Sequence, residues 1–134
     1  MASSLDFQGI PEVLGRLQRL HSPVVQVGAT ALEREGNRIM VESQRLVPVL
    51  TGRLLLTSNV TPPLVEGSLI TVELSYGREG PLGPAPYAAR QHFDASLNHP
   101  HGGQAFYLSQ PLYQATAGFT DRLATGIRAG LRSP

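Results

Sequence analysis

PVLTGRLLLTSNVTPPLVEGSLITVELSY, residues 48–76, is the stretch on which the fold turns. Its second half alternates, with Ile70, Val72, Leu74 and Tyr76 on one side and Leu69, Thr71, Glu73 and Ser75 on the other. A period of two is that of a half-buried strand, here Ser68 to Tyr76. Ahead of it, Leu50-Thr51-Gly52 reads as a turn. Arg53 to Thr61 reads as a second strand carrying the apolar run Leu54-Leu55-Leu56. Pro62-Pro63 and Glu66-Gly67 punctuate the connection. The expectation is an antiparallel hairpin with a long loop. A lone hairpin is marginal in water, so this one needs helices, or strands of neighbouring subunits, to complete it.

Upstream, residues 1–6 read as a loose leader. Phe7, Ile10, Val13, Leu14, Leu17 and Leu20 then recur at helical spacing, with Asp6 as N-cap and Pro11 tolerated in the first turn. This short helix is expected to end near His21. Ser22-Pro23 restarts the chain with a cap and a proline at the first helical position. The second helix runs about seven turns to Pro48 and is long enough to be the spine of the domain. Val25, Ala29, Leu32, Ile39, Met40 and Val47 lie along one side. Glu33, Arg34, Glu35, Asn37 and Arg38 read as a solvated stretch in its middle. Gly28 and Gly36 fall on the apolar side and imply close approach of another element.

Downstream, Gly77 to Pro86 holds three Gly and three Pro in ten residues, which predicts an exposed loop. Tyr87 to Phe93 is expected to form a short helix, residues 94–104 a second exposed loop, and Ala105 to Leu108 a short strand. After Pro111 one final helix carries Leu112, Ala115, Phe119, Leu123, Ile127 and Leu131 at steps of three or four. Arg122, Arg128 and Arg132 sit toward its C-terminal end, where cations suit the helix dipole. The whole gives a single α+β domain over residues 1–134. A small antiparallel β-sheet packs with a long helix from the N-terminal half and a C-terminal helix.

Composition narrows the function classes. A chain of 134 residues can bury a core without metal or disulfide, and it has no cysteine for either. No apolar run approaches the length of a membrane span, and no secretory signal is visible. The formal charge of +1 argues against binding nucleic acid by electrostatics. All eleven basic residues are Arg, most simply a coding bias. Among candidate chemistries, His92, Asp94, His99 and His101 offer nitrogen and oxygen ligands for zinc or a similar ion. Residues two apart on a helix point about 200° away from each other, however, and no general base is placed beside them. Thr51 and Ser58 lack the context of an activated nucleophile. The glycines of 77–80 and 102–103 lack the lysine of a phosphate loop. No catalytic residue, metal site or cofactor is therefore assigned.

The residues do converge on a family. Pro48-Val-Leu-Thr51-Gly52-Arg-Leu54, with Ser58 four residues on, resembles the P-x-x-TG-x-L-x-x-S signature of neck, tail-completion and minor capsid proteins of long-tailed bacteriophages. Tyr76-Gly77 is similar to their V-x-YG, and Tyr87-Ala88 to their YA helix start. His99-Pro100 through Gly103-Gln104-Ala105 and Phe106-Tyr107-Leu108 to Pro111-Leu112 resembles their H-P-x-G-x-A-x-F/Y-L-x-x-P/A-L. The likeness spans about Glu35 to Phe119. It departs from the family in the Pro- and Gly-rich 77–86 loop and in Gln91-His92, where an acidic residue is usual.

The resemblance implies a virion structural protein and no enzyme. Such a subunit forms a ring, commonly a homo-hexamer, in the head–tail connector. Portal, adaptor or head-completion proteins lie above it and tail tube or terminator proteins below. Genomic DNA passes through the channel without sequence-specific binding, and no membrane is involved. Assembly is in the host cytoplasm. The hairpin is expected to build the ring, and the loops 77–86 and 94–104 to meet the neighbouring rings. Arg53, Tyr76, Tyr87, His92, His99, His101, Phe106 and Tyr107 are the interface candidates. The alternatives are a tail terminator ring capping the tube, and a small metal-dependent enzyme using the His92, Asp94, His99 and His101 cluster.

Overall fold

The computed structural model of the chain describes residues 10–132, with side chains from residue 23 onward. The expected leader 1–6, Phe7 and the Asp6 cap lie outside the described residues. A single helix, α1 (Ile10–Leu46), forms the spine. At 1.5 Å per residue it is about 55 Å long. The break expected at Ser22-Pro23 is absent, and the helix runs straight through Pro23. A proline removes one backbone donor, but its own fixed φ is helical, so one lost hydrogen bond need not end a helix this long.

Two faces of α1 are covered. The ribbon of strands lies against Gly28 and Gly36, as expected from those glycines. A methyl group added at Gly36 would sit 3.1 Å from Val72 and 3.4 Å from Val60, and one at Gly28 would sit 3.4 Å from Ile70. The ribbon comprises β1 (Asn59–Val60), β2 (Leu64–Glu66), β3 (Leu69–Thr71) and β4 (Leu74–Ser75). β1 pairs antiparallel with β4, Val60 opposite Leu74. β2 pairs antiparallel with β3, Val65 opposite Ile70. The two small sheets follow one another along one hairpin. At the joint Pro62 and Pro63 oppose the single residue Val72, a bulge that shifts the register by one. Proline has no donor for the ladder, so pairing stops there.

The strand expected over Arg53–Thr61 is replaced in its first half by a helical turn, α2 (Arg53–Leu56). Three consecutive leucines carry no periodicity, and a short apolar run does not separate strand from buried helix. Only Leu54 of the three is buried, and Leu56 is exposed. The 77–86 loop has no regular structure, but it is not wholly exposed, because Ala85 is fully buried. α3 (Ala88–Phe93) is the expected short helix. The strand expected at Ala105–Leu108 is a series of turns instead. Its backbone bonds go to helices rather than to a neighbouring strand: Phe106 N–H donates to the His92 carbonyl of α3 at 2.7 Å, and the Phe106 and Leu108 carbonyls accept from Gln110 and Leu112 N–H.

The one final helix is in fact two, α4 (Ser109–Ala115) and α5 (Phe119–Arg132). The break falls at Thr116-Ala117-Gly118, where Gly118 takes a positive φ of 71°. α5 packs on the second face of α1, so closely that a methyl at Gly126 would lie 3.3 Å from Ala31 and one at Gly130 would collide with Val27. The solvated stretch expected over Glu33–Arg38 also fails at its centre. Glu35 is buried, at 7 % exposure. Its carboxylate accepts from Arg38 Nη2 at 2.7 Å and from Arg122 of α5 at 2.6 Å through Nη2 and 2.9 Å through Nε. The same Arg122 donates to the carbonyls of Ala115 and Ala117, closing the end of α4.

The hydrogen bond from Arg38 holds the Glu35 carboxyl below its ordinary value of 4.5, with Arg122 reinforcing it against the opposing effect of burial. A lowered carboxyl pKa contributes stability that is present above the ordinary value and lost as pH falls through the lowered one. Replacing Arg122 by Ala is expected to cost about 2 kcal/mol, since hydrogen bonds to an ionised group are each worth more than neutral ones. Denaturant titration of R122A measures that loss. In E35Q the same titration, repeated below the ordinary carboxyl pKa, is expected to give a flatter dependence on pH than the parent chain.

Candidate docking cleft at the end of the long helix

The chain leaves α1 at Leu46 and folds back over its own helix end. Gln104 N–H donates to the Leu46 carbonyl at 2.8 Å, one of the carbonyls a helix C-terminus leaves free. Gly103, at φ 92°, lies directly on the backbone of Val47 and Pro48, where any side chain would collide. The 99–104 segment is thus clamped to the helix end, beside the Thr51-Gly52 turn.

Beneath this clamp is a core of Val47, Leu54, Ala85, Ala88 and Tyr107, with Leu46, Leu55, Tyr76 and Leu108 packed against it. Tyr107 is 1 % exposed. Its hydroxyl donates to the Ala88 carbonyl at 2.8 Å, and its ring meets that of Tyr76 edge-on with centroids 5.1 Å apart. Burial, with Tyr76 beside it, pushes the Tyr107 phenol up to about 12. Tyr76 bonds the wholly buried Ser43 of α1 at 2.8 Å, and burial raises its phenol too. Thr57 joins two turns: its hydroxyl donates to the Leu54 carbonyl and accepts from Gly77 N–H at 2.8 Å. Thr57, Ser43 and Ala85 escaped the sequence reading. Each is small and polar or featureless, and its importance lies in a partner that only the topology supplies.

The eight interface candidates divide into two sets. Tyr76, His92 and Tyr107 belong to the interior, with His92 and Tyr107 buried in the chain itself. Phe106, exposed and at φ 57°, meets His92 edge-on at 5.7 Å between centroids. The other four, Arg53, Tyr87, His99 and His101, line one cleft of about 460 Å³. Its walls are the 48–54 turn, Tyr87 at the N-cap of α3 with Gln91 within that helix, and the 98–102 loop. Arg53 Nε and His99 Nε2 are buried there with no hydrogen-bond partner among the described residues. Thr51 Oγ1 accepts from Arg53 N–H, and Ser58 Oγ accepts from Gln44 at 2.7 Å, so neither hydroxyl is paired with a base.

His92, Asp94, His99 and His101 are not brought together. Among the described residues no group of three or more His, Asp or Glu is placed to hold a metal ion. Asp94 instead accepts from Ser96 N–H and Oγ–H, which lowers its carboxyl pKa. Among the described residues no helix is long and apolar enough to cross a membrane.

His92 Nε2 accepts from Ser109 N–H at 3.1 Å, so in the neutral ring the proton sits on Nδ1. Burial lowers its pKa from 6.5. The neutral form is the one that packs, so stability is whole above the ordinary value and declines as pH falls below it. A thermal-unfolding series across that range is expected to show this decline, and H92Q, which keeps an acceptor but cannot titrate, is expected to lose it. No family model, curated protein or solved structure matches this chain.

Proposed function

We propose that the chain is a ring-forming structural subunit of the head–tail connector of a long-tailed bacteriophage. The supporting observation is that the separate segments resembling that family meet around one core. Leu54 from the TG turn, Tyr76 from the strand end, Ala88 from the YA helix start and Tyr107 from the FYL run all pack together. Four weak local likenesses that share one packing centre are harder to attribute to chance than four scattered ones.

The surface fits assembly. Leu64, Val65 and Leu69, at the far end of the ribbon, are exposed, Leu69 by 62 %. β2 and β3 pair only with each other among the described residues, so each offers an open edge. Each edge strand is only three residues long, but the apolar side chains exposed beside it are surface that another chain can cover. A heterologous contact through such an edge closes into a ring when its rotation permits. The near-neutral charge, with Arg and acids interspersed, suits a channel that must let DNA pass, since each phosphate neutralised would strengthen retention.

The test is genetic. Deleting the coding sequence from the genome that carries it is expected to leave DNA-filled heads and complete tails that do not join. Intact virions in normal yield would end the proposal. Complementation with Leu69→Glu is expected to fail although the variant stays folded, its unfolding free energy within about 0.5 kcal/mol of the parent, as for other surface changes.

A further inference from the structure

The cleft at the end of α1 has a polarity that the ring reading does not use. Its lining includes no Asp or Glu, although the chain carries ten acidic residues. The groups in its walls able to carry positive charge are Arg53, His99 and His101. Arg53 forms no ion pair among the described residues, as is also true of Arg34, Arg90, Arg128 and Arg132, whereas Arg38, Arg45, Arg78 and Arg122 are paired. Its guanidinium lies beside Gly83, where a side chain would press within 3.2 Å of Nη2. The absent side chain leaves the fork its place against the 77–86 loop.

Two residues of this lining, Arg53 and His99, each carry a buried nitrogen, Nε and Nε2, that lacks a partner among the described residues. A buried polar group left unpaired is costly, and a carboxylate is the natural complement, because the guanidinium fork binds it through two parallel hydrogen bonds. The rest of the lining mixes the uncharged polar Thr51, Gln91 and Asn98 with apolar side chains. Val49, Leu50 and Tyr87 stand exposed at it, Leu50 by 77 %.

We propose that this cleft binds an extended peptide segment of a partner protein, placing an Asp or Glu carboxylate against Arg53 and His99 and a neighbouring apolar side chain against Leu50 and Tyr87. A polypeptide fits better than a small acid because Val49, Leu50 and Tyr87 are exposed in the same lining as the cationic groups, and a chain can set a carboxylate against the latter and apolar side chains against the former at once. The site does not rest on the ring proposal, since the cleft is formed within one chain.

The test uses the full chain and two peptides, acetyl-Ser-Leu-Phe-Glu-Leu-Ser-amide and its Glu-to-Gln counterpart, titrated by saturation transfer from protein to peptide. The acidic peptide is expected to bind saturably, and the Gln peptide about tenfold more weakly, the worth of a charge-assisted bidentate contact. Arg53→Gln and His99→Gln should each bring the acidic peptide down toward the level of its control. Should Arg53→Gln not fold, His99→Gln decides. Equal binding of the two peptides, no saturable binding of either, or unchanged affinity in a folded His99→Gln variant overturns the site. The small acid 4-phenylbutyrate binding as tightly as the acidic peptide overturns the peptide assignment.

Discussion

Glu35 holds the domain together from the middle of its longest helix. Its carboxylate is shared between Arg38 of the same helix and Arg122 of α5, and Arg122 in turn satisfies two carbonyls at the end of α4. One half-buried guanidinium therefore fixes the docking of α5, the ending of α4 and the charge balance of the interior. Breaking such a pair leaves a buried carboxylate with fewer donors, which is far more harmful than never having had the pair. α5 has no fully buried residue of its own, so its place depends on this polar clasp and on the close packing of Gly126 and Gly130 against α1.

The far end of α1 is built by different means. There the helix terminus must find donors for its last carbonyls, and the 99–104 segment supplies one while closing over the TG turn. Gly103 has no side chain, and the segment lies flat on Pro48. This contact brings His99 and Arg53, far apart in sequence, into the walls of one cleft. The cleft is a by-product of capping a helix, and its cationic polarity follows from which residues the two loops carry.

Some of this was legible from the residues and some was not. Gly28 and Gly36 were informative because a glycine on the apolar side of a helix makes a statement about distance, and the ribbon does approach there. The alternation of Ser68 to Tyr76 reads as one strand and locates extended chain correctly, but the bulge opposite Pro62-Pro63 divides it into β3 and β4. Leu54-Leu55-Leu56 misled, since an unbroken apolar run has no period. Glu35 read as solvated because its partner lies 87 residues away. Gly118 is a recognisable helix stop, but the steady apolar spacing on either side of it concealed the break. For the cleft, Arg53 after a tight turn and the histidines of the 94–104 loop stood out as residues. That Arg53, His99 and His101 line one cleft while His92 is buried in the core is a property of the topology alone.

The proposed function requires the chain to close into a ring around a channel. Electron microscopy of the purified full chain, alone and mixed with the products of its neighbouring structural genes, tests it most directly. The account predicts closed rings of uniform subunit number with an open centre. A monodisperse monomer at high concentration, unchanged by those neighbours, would contradict it.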